Sequence, residues 1–197
     1  MEPAPDKMKM NFPPNLLRTA VRLLVLAAAL AAAGRSPGAD APFTEYQVKA
    51  LFLYNFSKYV DWPAAAFPQA DAPITIGLLG ENKFDSALEN AVAGKTIGGR
   101  KIVIQPVKNE ADWGKCNILF ISASENRRLA EILDRVKALP VLTVGESSQF
   151  VRSGGIINFM KKENTVRFEV DLNAAQLAQL QISSKLLKVA DTVHGKP

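Results

Sequence analysis

Four short apolar runs spaced between helical stretches constrain this chain more than any other feature. The runs are ITIGLL (74–79), KIVIQPV (101–107), NILFIS (117–122) and VLTV (141–144). The first, third and fourth are nearly continuously apolar, as strands covered on both faces tend to be. Helices are expected around them. Thr44 with Gln47 three residues later forms a capping box, with Phe43 and Val48 placed as a hydrophobic staple. This starts a helix over about 44–60, and the same device at Asn173 and Gln176 starts one over about 173–180. Further helices are expected at 83–93, ended by Gly94, at 125–138, ended by Pro140, and at 184–193. The alternation predicts a layered α/β/α domain with a mixed, mostly parallel sheet.

The pattern changes at the C-terminal end. IINFM and TVRFEV, joined by KKEN, read as an antiparallel hairpin. Val166, Phe168 and Val170 share one face with Ile157 and Phe159, and Asn158, Arg167 and Glu169 take the other. One face belongs to the core. The other is polar.

The first forty residues read as a leader rather than part of the fold. Lys7, Lys9, Arg18 and Arg22 precede an unbroken Leu/Val/Ala run over 23–33, followed by small residues. That is the layout of a secretory signal, with cleavage expected between about 33 and 41 and one domain over 41–197. A membrane span needs about 20 apolar residues, so no stable span is expected after cleavage. From Asp40 onward the chain holds 19 Lys and Arg against 17 Asp and Glu, a net charge of +2. The overall pI of 9.4 therefore gives no reason to expect a nucleic-acid partner.

The usual catalytic sets are missing. His194 is the only histidine, so neither a His-based triad nor a multi-His metal site is available. AGKT (93–96) lacks the upstream glycine of a phosphate loop, because position 89 is Glu. GLLG (77–80) lacks the third glycine of a dinucleotide fingerprint, and GESS (145–148) is no nucleophile elbow. No cofactor or metal is expected, and binding is a better default than catalysis. Cys116 has no second cysteine to pair with; it reads as a buried small hydrophobe or as an intermolecular bridge.

Four blocks carry a family resemblance: VKALFLYNFSKYVDWP, LLGENKFDSALENAVAGKTIGGRKIVI, CNILFIS, and the long block from PVLTVGESSQF to SSKLLKVA. In this order they resemble the YfiR family of bacterial periplasmic proteins over essentially all of residues 44–190. The resemblance implies a non-enzymatic periplasmic α/β domain. It implies binding to the periplasmic sensor domain of an inner-membrane diguanylate cyclase, which is held inactive so that cyclic di-GMP falls and biofilm formation is restrained. Redox-regulated relatives pair cysteines in disulfides, and Cys116 falls where the family often has one. With a single cysteine, an intrachain disulfide switch is excluded here. The alternative role is a periplasmic small-ligand sensor reporting to a histidine kinase or other envelope receptor.

Two groups of residues are expected to carry binding. The hairpin, with Asn158, Arg167 and Glu169 on its polar face and Phe159 beside them, is the expected partner or ligand surface, and Lys185 of the last helix is expected near it. On the first helix, Val48, Phe52, Leu53, Phe56, Tyr59 and Val60 share a broad apolar face into which Lys49 intrudes. Leu51 and Tyr54 fall on the other side, either as a homodimer or partner surface or under cover from the rest of the domain. Trp62, just before Pro63, is either a lid on the core or a ring for stacking a ligand.

Overall fold

The computed structural model describes residues 43–196, so the leader and its cleavage region lie outside the described residues. The first element is α1 (Glu45–Tyr59). Its capping box forms as expected: Gln47 N–H donates to Thr44 Oγ1 at 3.3 Å, and Thr44 N–H donates to Gln47 Oε1 at 2.8 Å. Phe43 remains 72% exposed, so the expected staple with Val48 does not close. The two side chains line one shallow groove with the hairpin tip instead.

The remaining elements are β1 (Val60–Asp61), β2 (Ile74–Leu79), α2 (Ala87–Val92), β3 (Thr96–Ile97), β4 (Arg100–Val107) and β5 (Ile118–Ile121). Then follow α3 (Leu129–Val136), β6 (Leu142–Gly145), β7 (Ile157–Lys162), β8 (Thr165–Asp171), α4 (Leu172–Leu177), β9 (Gln181–Ile182), α5 (Ser184–Leu187) and β10 (Thr192–His194). Eight strands form one sheet in the order β10-β8-β7-β6-β5-β2-β4-β3, and β1 pairs with β9 in a separate antiparallel ribbon. The β7–β8 and β3–β4 pairs are antiparallel, and every other pair in the large sheet is parallel. The mixed, mostly parallel sheet with a C-terminal hairpin is the architecture the sequence predicts.

Helices cover both faces. α1 and α2 pack on one, burying Leu53, Phe56 and Leu88 against Ile76, Phe120, Val144 and Phe168. α3 covers the other, with Ile132, Leu133 and Val136 against Leu119 and Ile121. Double cover explains why β2, β5 and β6 read as unbroken apolar runs. Among the described residues no helix is long and apolar enough to cross a membrane.

Four helix expectations shift. The helix expected from Asn173 starts at Leu172, because Asp171 is the cap. Its Oδ1 accepts from Asn173 N–H at 2.8 Å and Ala174 N–H at 3.0 Å, and an anion suits a helix N-terminus. The expected 184–193 helix stops at Leu187, and Thr192–His194 instead pairs along β8 as an edge strand. The 83–93 helix shortens to Ala87–Val92, and the 125–138 helix to Leu129–Val136 because a separate 3-10 turn takes Ala123–Glu125. The hairpin turn also tightens. β7 runs on to Lys162, leaving Glu163 and Asn164 at φ of 49° and 62° as the two turn residues, the left-handed pair that a two-residue hairpin demands.

Candidate functional site

Hairpin register places the predicted polar residues. Asn158 lies opposite Glu169, and Met160 lies opposite Arg167. Val166, Phe168 and Val170 are buried, while Arg167 faces solvent. Asn158 Nδ2 donates to Glu169 Oε1 at 3.0 Å, and His194 Nε2 lies 2.8 Å from Glu169 Oε2. A carboxylate only accepts, so Nε2 of His194 carries the proton in that contact. The sheet thus joins Asn158, Glu169 and the chain's only histidine in one line across three strands.

Not every predicted residue belongs to that line. Asn158 is 3% exposed rather than solvated. Phe159 points to the core face, its ring 5.7 Å from that of Phe56, as its alternation with Asn158 requires. Lys185 sits on α5, which is anchored by Leu186 in the α1-side core. It makes no hydrogen bond or ion pair with Arg167 or Glu169. On α1, Tyr54 is half-buried, with Lys95 Nζ 4.2 Å above its ring. Lys95 in turn donates to Ala91 O of α2. Tyr54 therefore has cover within the chain, and Leu51 alone of the pair stays exposed. Trp62 packs against the α1-side core and donates from Nε1 to Asn117 O at 3.1 Å. Cys116 is buried, its thiol pushed up by burial. Its Sγ lies under Gly77, where a Cβ has no room, so no bridge to another chain forms without opening that packing.

A second site emerges beside the hairpin. Lys49, the intruding charge on α1, is 5% exposed. Its Nζ donates to Glu146 Oε2 at 2.7 Å and to Glu45 Oε1 at 2.6 Å. Tyr46 OH donates to Glu146 at 3.0 Å, and the Ala123 N–H donates to the same carboxylate at 3.3 Å. Glu146 directly follows β6, so a buried carboxylate stands at the carboxyl end of a parallel strand, the edge at which α/β sheets bind ligands. Burial first, and then the Glu146 carboxylate, hold the Tyr46 phenol far above its ordinary range, so it donates at any neutral pH. The Lys49 hydrogen bond holds Glu45 below the usual carboxylate value.

A cleft of about 290 Å³ opens here, lined by Glu45, Lys49, Glu146, Ser147, Asn158 and Phe159 among others. The loop that follows Glu146 folds back through Phe150, whose ring lies against Gly145 and Gly155, where a side chain has no room. Of the residues around the cleft, Ser147 Oγ and Asn158 Oδ1 are buried without a hydrogen-bond partner. Buried polar groups in folded proteins are nearly always paired, so both need a reason. Sequence reasoning found Asn158 but missed Lys49 with Glu146. The clue was a lysine on an apolar helix face, but its partner lies 97 residues away. Among the described residues no group of three or more His, Cys, Asp or Glu is placed to hold a metal ion.

These features define an α/β domain: a doubly covered sheet with a polar cleft at a strand's carboxyl end and a charged hairpin face beside it. A family model described as DUF4154, YfiR/HmsC-like, matches residues 46–191, and the chain belongs to that family. The family is regulatory in character. No curated protein sequence matches the chain. A conserved domain protein from Vibrio cholerae O1 biovar El Tor is similar in structure at TM-score 0.53 and 11% identity. That alignment covers 77% of this chain and 60% of the Vibrio chain, and it shows a shared fold. An ABC domain in complex with L-Trp from Streptococcus pneumonia aligns at TM-score 0.44 and 12% identity, over 60% of this chain and 54% of that one, too distantly to bear on function.

Proposed function

We propose that this chain is a non-enzymatic periplasmic regulator that binds the periplasmic sensor domain of an inner-membrane diguanylate cyclase and represses it, lowering cyclic di-GMP. Family membership over residues 46–191 carries this reading. The hairpin face supports it, because Arg167 projects into solvent from a rigid antiparallel pair, beside the line of Asn158, Glu169 and His194. A charged group on a rigid strand suits partner recognition, since rim charges set association rate and partner choice. Titrating the protein with the periplasmic region of a cyclase encoded beside its gene tests the reading. Arg167→Glu is expected to weaken binding at least tenfold while leaving the melt in place; unaltered affinity would remove Arg167 from the interface.

A second reading is favoured by the cleft. A cleft of about 290 Å³ beside a buried ion pair at the carboxyl end of a strand fits a protein that senses a small molecule and reports it to a histidine kinase or other receptor. The two readings separate by gene neighbourhood: a cyclase with a periplasmic region favours repression, and a kinase favours sensing.

A further inference from the structure

A second cavity, of about 510 Å³, opens between α3 and α4 and shares no lining residue with the cleft beside Glu146. Its size falls within the range of about 300–1,000 Å³ for small-molecule sites. Ala130 of α3, Val151, and Ala174 and Leu177 of α4 give it aliphatic walls. Leu177 is 53% exposed, a large apolar side chain left largely uncovered. No aromatic ring lines the cavity, so nothing in it would stack a flat ligand. An aliphatic occupant matches these walls. α4 is 6 residues long, about 9 Å, so a chain lying along it is roughly as long as an extended octanoate.

The charged side chains that line the cavity are Asp134, Lys137, Arg152 and Asp171. Lys137 Nζ lies 2.6 Å from Asp134 Oδ1. Asp171 Oδ1 accepts from the Asn173 and Ala174 N–H groups at the start of α4. Thr143 is committed too, its Oγ1 accepting from Ile156 N–H at 3.0 Å. Arg152 remains. It is exposed on the loop after Phe150 and, among the described residues, makes no hydrogen bond or ion pair. A guanidinium pairs best with a carboxylate, which takes two parallel N–H bonds from it. Aliphatic walls with one uncommitted cation suit a molecule that has an aliphatic body and one anionic head. We propose that this cavity binds a medium-chain aliphatic carboxylate, its chain between α3 and α4 and its head on Arg152.

The site depends on neither reading above, since it includes neither Arg167 nor any residue of the Glu146 cleft. The test is calorimetric titration of the protein, purified as expressed from its own gene, with hexanoate, octanoate and decanoate. Octanol and octylamine serve as neutral and cationic counterparts. Octanoate is expected to bind saturably with a Kd below about 1 mM. Each added methylene is expected to tighten binding by up to about fourfold until the cavity is full. Arg152→Gln is expected to weaken octanoate about tenfold or more, to the level of octanol. The melt is expected to stay in place, because Arg152 is exposed. Leu177→Gln is expected to weaken all three acids while leaving octanoate preferred over octanol. Absence of saturable binding by all three acids would overturn the site, as would unchanged octanoate affinity in Arg152→Gln. Octylamine binding as tightly as octanoate would overturn the anionic head. Affinity that does not rise from hexanoate to octanoate would overturn the aliphatic chain.

Discussion

The two faces of the β7–β8 hairpin are built from the same residues in alternation, yet they do opposite work. On one face Phe159 and Phe168 meet Phe52 and Phe56 of α1 in a closed aromatic cluster, with ring centroids 5.1–6.0 Å apart. Each such pair adds about 0.5–1.5 kcal/mol beyond the area it buries. On the other face Asn158 and Glu169 satisfy one another only in part, and Arg167 is left to solvent. A period of two lets one strand pair hold the core on one side and keep unmet hydrogen-bonding capacity on the other. The first face should fail by unfolding, and the second by losing a ligand or partner.

Substitutions that break this contrast rank by expected effect. Phe56→Ala opens a cavity in the centre of the aromatic face and is expected to destabilise by about 3–5 kcal/mol in urea unfolding. A loss below about 1 kcal/mol would show that the cluster collapses onto the gap. Lys49→Met removes the cation from the buried Glu146 carboxylate and is expected to cost about 3 kcal/mol, at the low end for such pairs because Tyr46 and Ala123 still donate to it. Adding Glu146→Gln to that variant is expected to restore most of the loss, because the uncompensated charge has gone. Additive losses would show that packing, not charge, sets the cost.

Tyr46 sharpens the comparison through pH. Its phenol is raised above the ordinary value of 10.0 in the folded state. The stabilisation is therefore complete below the unfolded phenol value and lost as pH rises above about 10. Tyr46→Phe is expected to flatten that alkaline limb and to cost about 1 kcal/mol at neutral pH, the worth of an ordinary hydrogen bond. An unchanged alkaline limb would mean that other groups govern it. Arg167→Glu is the smallest perturbation of the fold, expected within about 0.5 kcal/mol as an exposed surface change. A larger loss would place Arg167 in the stability of the hairpin rather than in recognition.

The elements legible in the sequence were those whose signals are local. β2, β5 and β6 showed as unbroken apolar runs because both faces are covered, and α1 showed because its capping box is written in four residues. β10 was not legible. SKLLKVADTV has helical spacing, but after Leu187 the chain pairs with the free edge of β8, and that tertiary pairing overrides local propensity. The cap of α4 moved for a related reason: Asp171 ends a strand and caps the next helix at once. On the site, alternation alone put Asn158, Arg167 and Glu169 on one face. It could not reveal that His194 returns to Glu169, nor that Lys49 meets Glu146, because those contacts join distant parts of the chain. The position of Lys185 was not legible either, because the short α5 follows β9 toward the end of α1, where Ser183 N–H donates to Tyr59 O.

The regulatory role is tested most directly by cyclic di-GMP itself, measured in cells with the gene deleted and then restored. Deletion is expected to raise the cyclic di-GMP level. The wild-type gene is expected to lower it again, and the Arg167→Glu gene is expected not to. A level unchanged by deletion would contradict the repressor reading.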